Sequence, residues 1–229
     1  FDLENENLFI PLNKILSSQP LTLTDYRKFI LQRIDNVKNV WIEKIKDNSI
    51  GLDGLLSVSI QCNENLSEND IVLTKNRVND LLMSTRSIST DIEKINILNK
   101  EKIEISAIIV LDPFALGESV LAEIYHKLDK LFNPEIILHD FEKMKKIGYD
   151  DNEIFSGPQS EFGYIDSNDL SHKTNSIYSV EIKELIENVK GVVNINEIKI
   201  FKNGVHVFDD LITFNENSYP SLKKNYSRL

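Results

Sequence analysis

Hydrophobic and polar positions alternate with two different periods along this chain, and the periods predict an ordered mixture of helices and strands. Tyr26, Ile30, Ile34 and Val37 follow helical spacing after a cap at Thr22 or Thr24, and strands follow at 40–42 and 55–60. Ser67 predicts the start of a second helix. The β-prone stretch 92–111 breaks at residues 99–100, so it indicates either two consecutive strands or one long strand shared by two halves.

The second half of the chain also combines predicted helices and strands, but in a different order. Helices are predicted for 118–132, 138–147 and 179–189, with an ordered loop over 149–173. Strands over 192–201 and 205–212 are joined by Asn203 and Gly204, a dipeptide typical of a tight hairpin. We therefore predict an α+β fold of two tandem ferredoxin-like α/β sandwich modules, with cores divided near residue 99.

Four segments follow from this pattern. They are an N-terminal arm over 1–20, a first module over 21–100, a second module over 101–213 with an inserted helix and loop over 134–173, and an irregular tail over 214–229.

An internal repeat relates the two modules. Residues 22–40 align without gaps on 174–192, and eight of the 19 aligned pairs are identical. Each copy predicts a helix, a tight turn and the start of a strand. Gly191 and its counterpart Asn39 both tolerate a positive φ angle, which would ease the turn. The residues assigned to the repeat and its turn are Tyr26, Val37, Trp41, Tyr178, Val189 and Gly191.

Composition narrows the classes of function. The 229 residues carry a formal net charge of −10, which argues against non-specific binding of nucleic acid. Residues 21–100 hold 11 basic and 11 acidic side chains, whereas 101–213 hold 11 and 21. That acidic excess is either a solvated face or a docking face for a basic partner. No apolar run approaches the length of a membrane span, and we expect none.

Candidate chemistry is sparse. The single cysteine, Cys62, excludes a disulfide framework, and the four histidines lack the spacing of a metal site. No glycine-rich phosphate loop or nucleophile motif occurs, so we predict no enzyme, no catalytic residues, no cofactor and no metal. The acids Glu161, Asp166 and Asp169 keep an alternative open: a small ligand-binding or enzymatic module that uses the acidic 149–169 loop.

Three segments carry a resemblance to a known family: Leu21–Trp41 with its Thr-Asp-Tyr-Arg run, Glu153–Leu170 with Phe-Gly-Tyr-Ile-Asp, and Ile177–Val192. Together they resemble the baseplate J-like proteins of contractile injection systems and phage-tail-like particles. Pro220–Leu222 is similar to the family's tail. The resemblance implies a structural wedge component that assembles by protein–protein contacts around a central spike.

The resemblance also implies partners and a location. Other baseplate proteins are the expected partners: a second wedge protein, the spike or hub, and a sheath-initiating component, in a six-fold assembly. Nucleic acid is not an expected partner. Family members are usually longer, so the chain is expected to be a fragment, with a monomer as one option in isolation. Assembly in the cytoplasm and incorporation into a virion-like particle are expected.

The loop over 153–170 is the predicted interaction element. It concentrates apolar side chains between fixed bends, which suits recognition or packing better than a flexible linker. We expect Phe155 and Ile165 to pack on their own domain, and Phe162 or Tyr164 to stay partly exposed. The candidate interaction residues are Phe155, Gly157, Pro158, Phe162, Gly163, Tyr164 and Asp166.

Overall fold

The structure is a computed structural model that describes residues 18–45, 54–160 and 162–223. Most of the N-terminal arm predicted for 1–20, and the end of the predicted tail, lie outside the described residues. The chain divides into two compact units. Unit 1 comprises Phe1–Ile97 and Ile136–Leu170, and unit 2 comprises Leu98–Glu135 and Ser171–Leu229. Each unit combines helices with sheets, which confirms the predicted α+β class.

Unit 1 is built around a three-stranded sheet covered by two helices. Its main elements are helix α1 (Leu23–Arg33), strands β1 (Val37–Lys44) and β2 (Leu55–Cys62), helix α2 (Glu68–Thr85) and strand β3 (Asp91–Ile97). Strand β2 lies in the middle, antiparallel to β1 and parallel to β3.

Both helices of this layer begin at a capping box that the sequence signals. Thr22 pairs reciprocally with Asp25, and Ser67 with Asp70, so backbone N–H groups that have no partner inside the helix are satisfied. The core of the unit includes Ile30, Val58 and Val78, none of which has measurable exposure.

Unit 2 has its own sheets and its own core. The elements are β4 (Asn99–Leu111), helix α3 (Gly117–Phe132), β7 (Ser176–Tyr178), helix α6 (Ser179–Glu187), β8 (Val192–Lys202), β9 (Val205–Val207), β10 (Leu211–Thr213) and β11 (Ser218–Leu222). A four-stranded sheet has the order β11-β4-β8-β9, and a two-stranded sheet pairs β10 with β7.

The core residues before and after residue 99 fall into two separate clusters, as expected from the sequence. Ile95 belongs to the cluster that holds Ile34 and Val58, and Ile97 packs against it. In the other cluster, partly buried side chains of β4 pack against buried residues of α3 and α6, namely Ile105 and Ile109 with Ile124 and Ile186. The β-prone stretch is therefore two strands in two sheets, and the chain passes between them at Leu98.

In strand order, both sheets depart from the ferredoxin-like arrangement. That fold places another strand between the two strands of each βαβ connection. In unit 1 the connection β2-α2-β3 joins strands that lie directly side by side and parallel. In unit 2, β4 has β11 as a parallel neighbour on one side and β8 as an antiparallel neighbour on the other.

The segment 136–170 groups with unit 1, whereas the sequence places 134–173 as an insertion in the second module. It contains β5 (Leu138–His139), helix α4 (Phe141–Ile147), helix α5 (Asp151–Phe155), β6 (Tyr164–Ile165) and a 3₁₀ turn, Ser167–Asp169. The predicted 138–147 helix begins later, because Asp140 caps it at Lys143. Helix α5 was not predicted, although Asp150 and Glu153 form its capping box.

The tail is where the sequence-based prediction is most clearly wrong. Residues 218–222 form a fully buried strand that runs parallel to the start of β4. Local pattern could not identify it, because Pro220 argues against a strand. Strand β11 lies at the edge of its sheet and can accommodate the proline, because backbone groups on the outer side of an edge strand have no neighbouring strand to pair with. The predicted strand 205–212 is also interrupted, between β9 and β10.

Candidate interaction site

The two segments that carry the strongest resemblance contact each other in unit 1. Helix α1 lies against the 136–170 segment. At its start, Thr22 N donates to Asp25 Oδ2 at 2.9 Å, which closes the capping box. Gly157 lies so close to Asp25 that a Cβ atom at this glycine would sit 3.3 Å from Asp25 Oδ1. Its φ of +83° also favours glycine.

Arg27 joins three parts of unit 1. Its Nε donates to the carbonyl oxygen of Val40 at 2.6 Å, Nη2 to Asn39 Oδ1 at 3.3 Å and Nη1 to the carbonyl oxygen of Leu170 at 3.2 Å. Burial lowers the pKa of the Arg27 guanidinium to about 10, so the group stays charged at neutral pH. One side chain therefore fixes helix α1 to strand β1 and to the end of the 136–170 segment.

Two further polar side chains of α1 bind the same segment. Gln32 is buried, and its Nε2 donates to the carbonyl oxygen of Gly163 at 2.9 Å. Lys28 Nζ donates to Ser167 Oγ at 3.0 Å. Burial lowers the pKa of Lys28, although nearby Asp25 and Asp166 act to raise it. Positions 25, 28 and 32 recur at helical spacing, so they form one polar face of the helix.

Aromatic packing holds the segment in shape from within. The ring of Phe155 stacks on Phe141 with centroids 5.5 Å apart and meets Tyr164 edge-on at 5.9 Å. Ile165 is buried, as expected. Gly163 has a φ of +133°, and a Cβ atom there would lie 3.0 Å from the carbonyl oxygen of His139. The close pairing of β5 with β6 therefore depends on this glycine.

Two of the three acids singled out in the loop, Asp166 and Asp169, are engaged inside the unit, and the third, Glu161, lies outside the described residues. Asp166 is buried, and its Oδ1 accepts hydrogen bonds from Tyr149 OH at 2.6 Å and from Asn168 N at 2.9 Å. Burial acts to raise the pKa of Asp166, but these bonds outweigh it and lower the value. Asp169 Oδ2 lies 3.1 Å from His139 Nε2.

A polar cleft of about 280 Å³ lies between α1 and the 136–170 segment. Asp25, Lys28, Tyr149, Glu153 and Ser167 are among its lining residues. Among the described residues, no group of three or more His, Cys, Asp or Glu side chains is placed to hold a metal ion.

The predicted interaction residues separate into two groups by exposure. Phe162 exposes 69% of its surface, and Ile137 and Leu138 expose 52% and 49%. We call these three exposed apolar residues the Phe162 patch. Their two stretches of chain lie close together, since a Cβ atom placed on Gly163, the residue after Phe162, would lie 3.4 Å from Leu138 Cβ. The others are buried or half-buried and support the segment: Phe155, Gly157, Pro158, Gly163, Tyr164 and Asp166.

The repeat is present in its helix and turn. Ile30 and Ile182 are fully buried at equivalent positions, and each turn is closed by the same backbone bond. Val37 N donates to the carbonyl oxygen of Ile34 at 3.2 Å, and Val189 N donates to that of Ile186 at 3.1 Å.

The two copies differ around this shared part. Tyr26 is buried and donates from its hydroxyl to the Thr85 carbonyl oxygen, whereas Tyr178 ends strand β7 and is 53% exposed. Trp41 is buried in β1.

The turn residues also differ. Gly191 has a φ of +96°, and a Cβ atom there would lie 2.9 Å from Ala115 Cβ. The expectation of a positive φ at Asn39 was wrong, because Asn39 does not adopt one. Its buried side chain instead accepts from Val40 N at 2.8 Å, beside a register shift in β1.

Sequence reasoning missed the polar contacts made by Lys28 and Gln32, and also a buried carboxylate. Glu101 is 4% exposed, lies 2.7 Å from Lys202 Nζ and accepts a hydrogen bond from Asn215 N at 3.0 Å. Each partner is distant in sequence, so no local signal marks these residues. Only the resemblance pointed to Asp25 and Arg27.

Comparison with known proteins identifies the family of the chain. Residues 98–229, more than half of the chain, match the family described as "Baseplate wedge Pvc12-like domain 3". The chain belongs to this baseplate wedge family. The resemblance to baseplate proteins of contractile injection systems is thereby confirmed. The match begins at Leu98, where unit 2 also begins.

A solved structure shares the fold of this wedge-family chain. It is described as "Cryo-EM structure of the anti-feeding prophage (AFP) baseplate, 6-fold symmetrised", and the likeness has a TM-score of 0.63 at 20% identity. It covers 93% of this chain and 40% of that chain, so the chain spans well under half of its counterpart's length. At this identity the likeness shows the fold alone. No curated protein matches the sequence.

Among the described residues, no helix is long and apolar enough to span a membrane.

Proposed function

We propose that this chain is a wedge component that builds the baseplate around a central spike through protein–protein contacts and performs no catalysis. The proposed partners are a second wedge protein, the spike or hub, and a sheath-initiating component, in a six-fold particle assembled in the cytoplasm. The family match supports the wedge role, and the likeness to a chain of a six-fold symmetrised baseplate supports the symmetry.

The observation that carries the proposal is the Phe162 patch. Its apolar side chains face solvent while the backbone beneath them is fixed by Gln32, Gly163 and the paired strands β5 and β6. A rigid apolar surface loses little conformational entropy on binding, so it suits a permanent contact in an assembled particle. We therefore propose the patch as a contact with a neighbouring baseplate protein.

The test replaces Phe162 with alanine in the protein and measures the yield of assembled baseplates by cryo-electron microscopy. We expect Phe162→Ala to leave the protein folded and to lower the yield. Ile88→Ala is the matched control, because Ile88 is a fully exposed apolar side chain of the same unit. A yield unchanged by Phe162→Ala would exclude the patch as a contact. Absence of the wild-type protein from purified particles would exclude the baseplate role itself.

A further inference from the structure

One end of unit 2 presents apolar side chains to solvent from a two-stranded ribbon. Strands β7 and β10 pair so that Ile177 lies opposite Ile212 and Tyr178 lies opposite Leu211. The isoleucine pair is buried, which fixes the ribbon on the core of the unit. Side chains alternate between the two faces of a strand, so the tyrosine and leucine pair points outward. Val180 follows in the first turn of helix α6 and is also exposed.

Tyr178, Val180 and Leu211 form the surface that we call the Tyr178 patch. Tyr178 and Val180 each expose 53% of their surface, and Leu211 exposes 38%. At the other end of the same ribbon the outward pair is Ser176 with Thr213, which is the polar pattern of a solvated strand face. The patch departs from that pattern, and clusters of exposed apolar side chains mark interaction sites more often than scattered ones do.

The turn 208–210, which leads into β10, is held at both of its ends. Ser179 N donates to the carbonyl oxygen of Asp210 at 2.8 Å, and Ser179 Oγ donates to Asp210 Oδ1 at 3.4 Å. At the start of the turn, the exposed ring of Phe208 meets His206 edge-on, with centroids 4.2 Å apart. A surface held in this way loses little conformational entropy when a partner binds.

Acidic side chains lie next to the patch. Residues 101–213 carry 21 acidic against 11 basic side chains, and three of these acids belong to this end of the unit. Asp209 and Asp210 are in the turn, Glu181 follows Val180 in α6, and all three are exposed. Negative charge near the N-terminal end of a helix is favourable, which accounts for Glu181 and Asp210, and Asp209 adds a third charge to the same rim.

Two lysines near the patch are engaged by other acids. Lys183 Nζ lies 3.7 Å from Glu187 Oε1, further along α6. Lys202 Nζ donates to the carbonyl oxygen of Thr213, but it also lies 2.7 Å from Glu101 Oε2. Each lysine therefore has its own counter-charge, and the rim of the patch keeps a negative balance. A partner that carries lysine or arginine would be attracted to this rim, and an acidic one would be repelled.

We propose that the Tyr178 patch binds a basic, apolar segment of a second baseplate protein. An aliphatic or aromatic side chain of the segment covers the Tyr178 and Leu211 pair, and lysine or arginine side chains meet Asp209, Asp210 and Glu181. The arrangement is that of a small interface with an apolar centre and a polar rim, in which charge steers the encounter. The inference rests on the proposed assembly role and adds to it the place and the chemistry of one contact.

Chemical footprinting of the wild-type protein tests the proposal without any substitution. A carbodiimide with glycine ethyl ester labels exposed carboxylates, and hydroxyl radicals label exposed tyrosine side chains. In the purified protein, Asp209 and Tyr178 should both react, because both are exposed. In assembled baseplates the labelling of both should be lost. Glu135, an exposed acid of the same unit outside the patch, should stay reactive and is the internal reference.

The contrary results separate this inference from the proposed function. If the protein is incorporated while Asp209 and Tyr178 still react, the docking site is wrong and the assembly role stands. If the wild-type protein is absent from purified particles, both fail. Protection that is already present in the purified monomer means that the chain itself covers the patch, and protection that rises with the concentration of this protein alone means that a second copy does. Either result overturns the basic partner.

Two substitutions at one position test the charge. Asp209→Lys reverses a charge of the rim and Asp209→Glu keeps it, at an exposed position in a turn. We expect the lysine variant to enter baseplates at least about tenfold less than the glutamate variant, since like charges would then face each other. Glu135→Lys makes the same charge reversal outside the patch and should enter as the wild type does.

The comparison decides in either direction. Equal entry of folded Asp209→Lys and Asp209→Glu variants would contradict a basic partner, and greater entry of the lysine variant would mean that the partner is acidic. Circular dichroism shows whether each variant folds. If the lysine variant does not fold, the footprint of the wild-type protein gives the answer.

Discussion

Arg27 and Leu170 lie 143 positions apart in the sequence, yet Nη1 of Arg27 donates a hydrogen bond to the carbonyl oxygen of Leu170 at 3.2 Å. The same guanidinium binds the carbonyl oxygen of Val40 at 2.6 Å. An arginine in the first half of helix α1 therefore holds the last residue of the 136–170 segment. The segment is part of unit 1 by specific hydrogen bonds and not by apolar contact alone.

Replacing this arginine should destabilise unit 1. Arg27→Met keeps much of the side-chain volume but leaves two partly buried carbonyl oxygens without this donor, so we expect a loss of about 1–3 kcal/mol in the free energy of unfolding. Urea denaturation monitored by circular dichroism measures it. Arg77→Met is the control, because Arg77 is exposed on α2, and it should change stability by less than about 0.5 kcal/mol. Equal effects of the two changes would show that the Arg27 contacts contribute nothing.

The repeat offers a matched pair of core substitutions. Ile30 and Ile182 occupy equivalent helix positions, and both side chains are fully buried. Each change to alanine should cost about 2–5 kcal/mol, since it removes buried methyl groups and leaves a cavity. The two residues belong to separate clusters, so their effects on unfolding should add to within about 0.5 kcal/mol in the double variant. A strongly non-additive double variant would argue for one shared core.

Gly163 should tolerate no side chain. Gly163→Ala places a Cβ atom 3.0 Å from a backbone carbonyl oxygen at a φ of +133°, and we expect a cost of about 1–3 kcal/mol. Gly148→Ala separates the two causes, because Gly148 has a similar φ of +114° with no atom within 4 Å of its Cβ position. Thermal unfolding of both variants measures the difference. If Gly148→Ala is the more costly change, close approach to His139 is not what requires glycine at 163.

Glu101 should make the stability of unit 2 depend on pH. Burial acts to raise the pKa of this carboxyl, but Lys202 and the hydrogen bonds from Ser218 and Asn215 outweigh it, so the folded-state pKa lies below the ordinary value. The stabilisation is therefore complete above the unfolded pKa of about 4.3 and is lost as pH falls through the folded value.

Glu101→Gln tests this dependence. We expect the variant to be less stable than the wild type by roughly 1–3 kcal/mol at pH 7, with the difference shrinking as the pH falls below the unfolded pKa and through the lowered folded-state pKa. Glu197→Gln removes an exposed ion pair with Lys199 and should give a small difference at every pH. A constant Glu101→Gln difference down to pH 3 would mean that the charge of Glu101 does not stabilise the fold.

Elements with strong local signals could be predicted from the sequence. The spacing of Ile30 and Ile34 indicated helix α1, and Ser67 indicated the start of α2. Asn203 and Gly204 adopt φ angles of +51° and +85°, so they form the predicted hairpin turn between β8 and β9. In each case the determining forces act between residues close together in the chain, and the pattern reports them directly.

Elements fixed by distant partners could not be predicted. Strand β11 exists because its backbone pairs with residues 119 positions earlier, and its short length and Pro220 conceal it. The same reason explains the polar contacts at the site. Gln32 lies at a helix position that the sequence pattern assigns to solvent. It is buried because the chain at Gly163, which is distant in sequence, packs against it. The exposure of Phe162 could be predicted, because Phe155 and Ile165 were expected to supply the apolar side chains that pack inside the unit.

The discontinuous make-up of unit 1 has a consequence for synthesis on the ribosome. The polar face of α1 emerges with the first 97 residues, but its partners at 163, 167 and 170 follow only after the start of unit 2 has been made. At 5–20 residues per second, roughly, that delay lasts several seconds. The nascent chain therefore passes through a stage in which its first sheet is complete while Lys28 and Gln32 have not yet met Ser167 and Gly163, so this face of α1 is open to chaperones before any other baseplate protein can bind.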